Sequence, residues 1–178
     1  KALAVIIIIK NSENTAAIII IATIFAKTFL KKLFIIIYLN DMSQHEVTLL
    51  LGSNLGIPKE NVEEALGRIK LEIGPIIKES EMVFTDPVEF DSNNIFCNIA
   101  IVIKTQFSPV KLLNSIKLIE RSMGRLDDTM ILGEYQDRVI DIDIVRFSAL
   151  KFCCEELTIP HEKHLYQRDF SRKLLDAL

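Results

Sequence analysis

Cysteine is scarce: Cys97, Cys153 and Cys154 make an odd number, with two of them adjacent. That pattern excludes a disulfide framework, and the lack of any C-x-x-C pair leaves no cysteine zinc site. A reducing compartment, the cytoplasm, is therefore expected. An excess of positive charge is also missing. Lys and Arg number 21 against 24 Asp and Glu, a net charge of -3, which gives nucleic acid no electrostatic footprint. No uncharged apolar run reaches the roughly 18–20 residues that a membrane-spanning helix needs. Internal repeats and low-complexity segments are absent after Met42.

What is present divides into two parts. Residues 1–41 contain runs dense in Ala and Ile, at Ala2–Ile9, Ala16–Ala26 and Leu33–Leu39, broken by Asn11–Asn14 and by Lys27, Lys31 and Lys32. No small-residue cleavage pattern follows the second run, so a signal peptide fits poorly. The chain starts at Lys1, whereas a start at Met42 would give a conventional soluble protein, and the upstream bias resembles translated AT-rich flanking sequence. The expectation is a functional domain over 42–178, with 1–41 outside it; a membrane- or partner-binding helix is the alternative for that segment. A length of 178 residues suits one domain with an appendage.

From Glu46 onward the periodicities resolve into elements. Val47–Leu51 predicts a buried strand ending in the turn cluster Gly52-Ser53-Asn54-Leu55-Gly56. Pro58 opens a helix with Val62, Ala65, Leu66, Ile69 and Ile73 on its apolar face, closed by Gly74-Pro75. Ile76 to Thr85 predicts a second strand, at a sheet edge because of Lys78, Glu79 and Glu81. Phe96 to Lys104 predicts a third, with Ile99, Ile101 and Ile103 on one face. Ser108-Pro109 caps a second helix, striped by Leu112, Leu113, Ile116, Ile119 and Met123 and stopped by Gly124. A long polar connection runs from Arg125 to Asp137 before the fourth strand. This βαββαβ order predicts an α+β, ferredoxin-like sandwich: an antiparallel sheet with helices packed on one face, plus further loop and C-terminal elements. Such a fold decides no function by itself.

The fourth strand carries the chemistry. Ile140, Ile142 and Ile144 alternate with Asp141 and Asp143, so one face is an isoleucine row and the other brings two carboxylates side by side. Adjacent like charges repel and lose hydration, and a divalent cation relieves that conflict. Mg²⁺ is typically held by one or two carboxylates, with water and phosphate oxygens filling the rest. Arg138 at the head of the strand can meet a phosphate bidentately. The competing reading is an exposed strand face that is simply acidic. His161 and His164, three apart, invite a zinc reading, but no third ligand is near in sequence. A histidine after Ile159-Pro160, with Arg168 close behind, suits phosphate contact better, or else belongs to a capped surface loop.

Gly52-Ser53-Asn54-Leu55, Thr85-x-Pro87-Val88, Phe96-x-Asn98, Glu120-x3-Gly124-Arg125, Arg138-x2-Asp141-x-Asp143 and Leu157-x-Ile159-Pro160-His161 with Arg168-x-Phe170 occur in one order and spacing. Together they resemble the 6-hydroxymethyl-7,8-dihydropterin pyrophosphokinase family of folate biosynthesis, from Val47 to the C-terminus. The resemblance implies transfer of pyrophosphate from ATP to the hydroxymethyl oxygen of the pterin, with release of AMP. It implies that Asp141 and Asp143 hold two Mg²⁺ ions with ATP, and that Arg125 and Arg138 join them in catalysis. Glu120, Leu157, Thr158, His161 and Arg168 match ATP-binding positions. Thr85, Val88, Phe96, Asn98 and Phe170 match the pterin pocket, where aromatic faces and a two-way amide suit a flat ring with a polar edge. The implied partners are those two small molecules, without nucleic acid or membrane, and the chain is expected to be a monomer.

The chain departs from the family pattern in places. Asp127 and Asp128 stand where a second basic residue is usual, and Glu89 replaces a usual glycine. Lys117 sits where an amide is frequent. There is no tryptophan, which leaves Tyr135 as the aromatic able to close over the pterin. The acidic connection favours one alternative, a catalytically inactive ferredoxin-like module that keeps a nucleotide or pterin pocket.

Overall fold

The structure is a computed structural model and describes residues 25–33, 44–87, 92–125 and 136–178. The chain separates into two compact units, Lys1–Ser43 and Gln44–Leu178. In the first, helix α1 covers 25–33, and its Phe25, Phe29, Leu30 and Leu33 are exposed. Among the described residues no helix is long and apolar enough to cross a membrane.

The second unit runs β1 (His45–Ser53), α2 (Pro58–Glu72), β2 (Ile76–Glu79), β3 (Val83–Thr85), β4 (Phe96–Thr105), α3 (Pro109–Ser122) and β5 (Asp141–Phe147). A short hairpin follows, β6 (Phe152–Cys153) with β7 (Thr158–Ile159). A π-helical turn over Lys163–Gln167 and helix α4 (Asp169–Asp176) complete it. The main sheet has the order β2-β4-β1-β5, antiparallel throughout, with β3 also paired to β4. This is the ferredoxin-like arrangement.

Local chemistry explains the element ends. Pro58 opens α2, and the Ser108 hydroxyl accepts from the Lys111 amide at 3.3 Å to cap α3. Beyond α2 the chain passes so close to β4 that a Cβ on Gly74 would lie 2.1 Å from the Lys104 carbonyl oxygen, which only glycine avoids.

The edge strand expected over Ile76 to Thr85 is at the edge but in two pieces. At the break, the buried Ser80 donates its amide to the Ala100 oxygen at 2.9 Å, and its hydroxyl accepts from the Ala100 amide at 3.0 Å. A side chain has replaced one rung of the ladder, so the strand bends without losing its pairing. The fourth strand is shorter at its start than expected, beginning at Asp141 rather than Val139, because its partner register with β1 ends at Gly52.

One sheet face is covered by two helices and the other only in part by α4. On one, Leu49, Leu51, Ile99, Ile101, Ile103, Ile142 and Ile144 meet Val62, Ala65, Ile69, Leu112, Ile116 and Ile119 of α2 and α3. Each such side chain contributes about 1.5–3 kcal/mol on burial. The opposite face holds a smaller cluster of Leu50, Ala100 and Val145 under Leu174 and Leu175 of α4. The sequence reading assigned no helix there, since eight residues are too few to show a period. Val145 reaches that cluster by plain alternation with Asp141 and Asp143, and the register shift opposite Thr48 and Leu49 then returns Phe147 to the first core. The alternation therefore holds through Val145 and breaks after it.

Candidate active site

Side chains alternate across a strand, so the register decides what the second face presents. Gly52 lies between Asn98 on β4 and Asp141 on β5, and Leu50 lies between Ala100 and Asp143. A cleft of about 600 Å³ opens on this face, roofed by the β7 segment and the π-helical turn. Its walls include Thr85, Phe96, Asn98, Arg125, Arg138, Asp141, Asp143, Leu157, Thr158, His161, Arg168 and Phe170. Residues as far apart in sequence as Leu50 and Phe170 are thus brought together. Glu120 is absent from the cleft wall and sits behind it. Val88 lies outside the described residues, as do Glu89, Asp127, Asp128 and Tyr135, and with them the acidic connection that favoured an inactive module.

At one end stands Asn98, 4 % exposed, whose Nδ2 donates to Thr85 Oγ1 at 2.9 Å. Its Oδ1 points over Gly52: a Cβ there would lie 2.8 Å from that oxygen and 3.6 Å from the Phe96 ring. The missing side chain keeps the floor of the cleft open between the amide and the carboxylate. The guanidinium of Arg138 lies 5.9 Å from the centre of the Phe96 ring.

At the other end, Asp141 is gripped by two arginines. Arg125 donates to its Oδ1, and Arg138 Nη1 to its Oδ2 at 2.7 Å. Arg125 Nη1 also donates to Glu120 Oε1 at 2.8 Å. The same oxygen accepts from the Ile142 amide at 2.8 Å, and Lys117 Nζ lies 3.3 Å from Oε2. Glu120 is 1 % exposed. Burial pushes its carboxyl up to about 7, against the Arg125 charge and with help from Asp141. It serves the site through Arg125.

Asp143 has a different holder. His164, 1 % exposed, places Nε2 2.9 Å from Asp143 Oδ2 and Nδ1 3.0 Å from the buried Ser171 hydroxyl on α4. Burial pushes the Asp143 carboxyl up, but the His164 hydrogen bond and the charges of His164, His161 and Arg168 outweigh it. The carboxylate is held well below the usual range. His161 Nδ1 accepts from the His164 amide at 3.4 Å, and burial lowers its pKa. Ligand atoms of Asp143, His161 and His164 fall within 4.8 Å of one another. The third group that the two histidines lack in sequence comes from β5.

Two positioning pairs escaped the sequence reading. Asn54 in the turn after β1 donates from Nδ2 to Asp137 Oδ1 at 2.5 Å and accepts at Oδ1 from the Arg138 amide at 2.8 Å. Asp137 also accepts from Ser92 Oγ at 2.7 Å and from Asn94 Nδ2 at 2.5 Å. Ser92, with Asn54 and Asn94, holds its carboxyl below the usual range despite some burial. In sequence, Asn54 is a turn former and Asp137 one acid in a polar stretch. Only the fold joins them.

Fold and cleft together define a ferredoxin-like α+β protein whose open sheet face carries paired carboxylates among arginines. Residues 48–178 match the model of the 7,8-dihydro-6-hydroxymethylpterin-pyrophosphokinase (HPPK) family, and the chain belongs to that family. It is 35% identical over 127 residues to the 2-amino-4-hydroxy-6-hydroxymethyldihydropteridine pyrophosphokinase of Porphyromonas gingivalis, covering 71% of this chain and 85% of that protein. It is also 35% identical over 128 residues to the mitochondrial folate synthesis bifunctional protein of Arabidopsis thaliana. That match covers 72% of this chain, which spans only 22% of the plant protein. Among solved structures, Plasmodium falciparum HPPK-DHPS crystallised with pteroate superimposes with a TM-score of 0.57 at 17% identity. The superposition covers 75% of this chain and 38% of that one, and it supports the fold.

Proposed function

We propose that the cleft on the open sheet face is where this chain transfers pyrophosphate from ATP to the hydroxymethyl oxygen of 6-hydroxymethyl-7,8-dihydropterin. The chain is a pyrophosphokinase of folate biosynthesis by its family; the assignment of the reaction to these residues is our own. The observation that supports it best is the row Asn98, Gly52, Asp141, which sets a ring-edge reader and an acidic group on either side of an open floor.

In this reading Phe96 and Phe170 cover the pterin faces while Asn98, held by Thr85, reads its edge. Leu157 and Thr158 line the adenosine end. His161, with Nδ1 occupied as an acceptor, carries its hydrogen on Nε2 and donates it to a phosphate oxygen, as Arg168 does. The hydroxymethyl oxygen bonds to the β-phosphorus. The bond from that phosphorus to the α–β bridging oxygen breaks, AMP leaves with the electron pair, and the hydroxyl proton passes to solvent. Positioning and charge neutralisation supply most of the rate.

Two carboxylates on one strand face, opening to one cleft, fit Mg²⁺, which takes one or two such ligands beside water and phosphate oxygens. Bound there as two ions with ATP, it would supply charge neutralisation at the triphosphate. Arg125 and Arg138, which donate to Asp141 beside the same cleft, are in this reading the guanidiniums that also meet the phosphates.

The test is to incubate the full chain with ATP, Mg²⁺ and the reduced pterin, expecting AMP and pterin diphosphate in equal amounts. Nucleotide binding without AMP would favour the inactive module instead. We place the activity in 42–178, acting as a monomer, so deleting 1–41 should leave it unchanged; loss of activity would return that segment to the working unit.

A further inference from the structure

The two aspartates of β5 are held in different ways. Asp141 has both oxygens engaged by guanidiniums. Asp143 receives a single ring donor from His164, on one oxygen. An ionised carboxylate only accepts, so His164 Nε2 carries a hydrogen toward Asp143, while Nδ1 meets the Ser171 hydroxyl. Ser171 is fully buried on α4, whose Leu174 and Leu175 pack on Leu50, Ala100 and Val145 of the same sheet face. The ring therefore bridges a carboxylate in the cleft and a helix anchored on the sheet beneath it. His164 itself is 1 % exposed and sits at the back of the cleft wall.

We infer that His164 is a positioning residue, which with Ser171 fixes the Asp143 carboxylate so that its second oxygen faces the cleft as the first anchor for the nucleotide's divalent cation. The inference rests on the reading that Asp143 binds that cation. Guanidiniums on both oxygens, as at Asp141, would compete with a cation, whereas one ring N–H on one oxygen orients the carboxylate and leaves the other oxygen to the cleft. The arrangement is the outer shell that metal-binding groups require, built here from a histidine in a π-helical turn. Both Asp141 oxygens are shared with guanidiniums and only one Asp143 oxygen is engaged, so Asp143 is the more available of the two ligands.

The experiment measures Mn²⁺ binding by electron paramagnetic resonance on the full chain, saturated with an ATP analogue whose α–β bridging oxygen is a methylene group. Pterin affinity and melting temperature are followed in parallel. His164→Ala should weaken Mn²⁺ about 10- to 100-fold, the usual effect of losing an outer-shell partner. Ser171→Ala should act in the same direction but less, and His164→Gln, which keeps a donor near the Nε2 position, should recover most of the loss. Pterin affinity should not move. Unchanged Mn²⁺ affinity in both His164→Ala and Ser171→Ala overturns the inference, as does a loss matched by equal losses in pterin affinity and melting temperature. Imidazole coordination of Co²⁺ that His164→Ala removes would also overturn it, making the ring a ligand. Asp143→Asn is the control: if that variant keeps full Mn²⁺ affinity, the cation reading itself fails, whatever His164 does.

Discussion

Asn54 and Arg138 are tied by two hydrogen bonds that cross: the Asn54 amide donates to the Arg138 oxygen at 3.2 Å, and the Arg138 amide donates to Asn54 Oδ1 at 2.8 Å. The turn after β1 thereby fixes the direction in which the chain enters β5, and with it the guanidinium on Asp141. Asn54→Ala leaves the first bond and removes the second, together with the bond to Asp137. About 1–3 kcal/mol of stability should be lost, the cost of leaving such partners unmet. ATP affinity should fall about tenfold while pterin affinity holds, as isothermal titration would show. Equal losses for the two ligands would mean that the clamp supports the fold and not Arg138.

Gly52 is expected to be the most size-sensitive position in the cleft. A methyl group there meets Asn98 Oδ1 at 2.8 Å, so the amide must turn away from Thr85. Gly52→Ala should weaken pterin binding about tenfold or more, and Asn98→Ala should weaken it at least as much, with ATP binding little changed in both. Pterin fluorescence titration measures the first and nucleotide titration the second. A Gly52→Ala protein with normal pterin affinity would separate this amide from the ring.

Much of this was legible because strand alternation is a local property. Asp141 and Asp143 share a face in any strand, and Ile99, Ile101 and Ile103 mark the core from sequence alone. The element order then constrains which strands can neighbour one another. What sequence could not supply was register. That Gly52 stands between Asn98 and Asp141, or that Ser171 meets His164 behind Asp143, depends on pairing between distant segments. The break at Ser80 was hidden for a related reason: a serine hydroxyl standing in for a backbone acceptor leaves no periodic trace. Glu120 was found through its motif, but its place behind Arg125 needed the packing of α3 on β5.

Glu120 should give the ligand-free protein a pH dependence near neutrality. Its carboxyl is raised from an ordinary 4.5 to about 7, chiefly by burial, so the folded state binds the proton more tightly than the unfolded one. The stability this contributes is full below the unfolded value and is lost as pH rises through about 7. Glu120→Gln, which cannot ionise, should therefore gain on the native protein between about pH 5 and about pH 8. The relative gain is about 1–3 kcal/mol over that span, at ~1.4 kcal/mol per pKa unit. Urea unfolding at a series of pH values measures it. A difference between the two proteins that stays constant with pH would show that Glu120 remains ionised.

The unequal holding of the two aspartates predicts unequal phenotypes. Asp143→Ala removes the carboxylate held by His164 rather than by a guanidinium hydrogen bond, and should abolish AMP formation with the fold intact by circular dichroism. Near-normal turnover would contradict the cation assignment. Asp141→Asn should also lose transfer, because the second cation ligand is gone, yet it releases Arg125 and Arg138 from an ionised partner. With one negative charge fewer beside Arg125 and Arg138, the cleft should bind a triphosphate more readily without metal. With a chelator present, Asp141→Asn is expected to bind ATP several-fold more tightly than the native chain, and Asp143→Ala to gain less. Both affinities follow from titration at fixed ionic strength, since salt screens such pairs. If neither variant gains metal-free affinity, the arginines on Asp141 do not exchange to phosphate, and their contact with the carboxylate is purely structural.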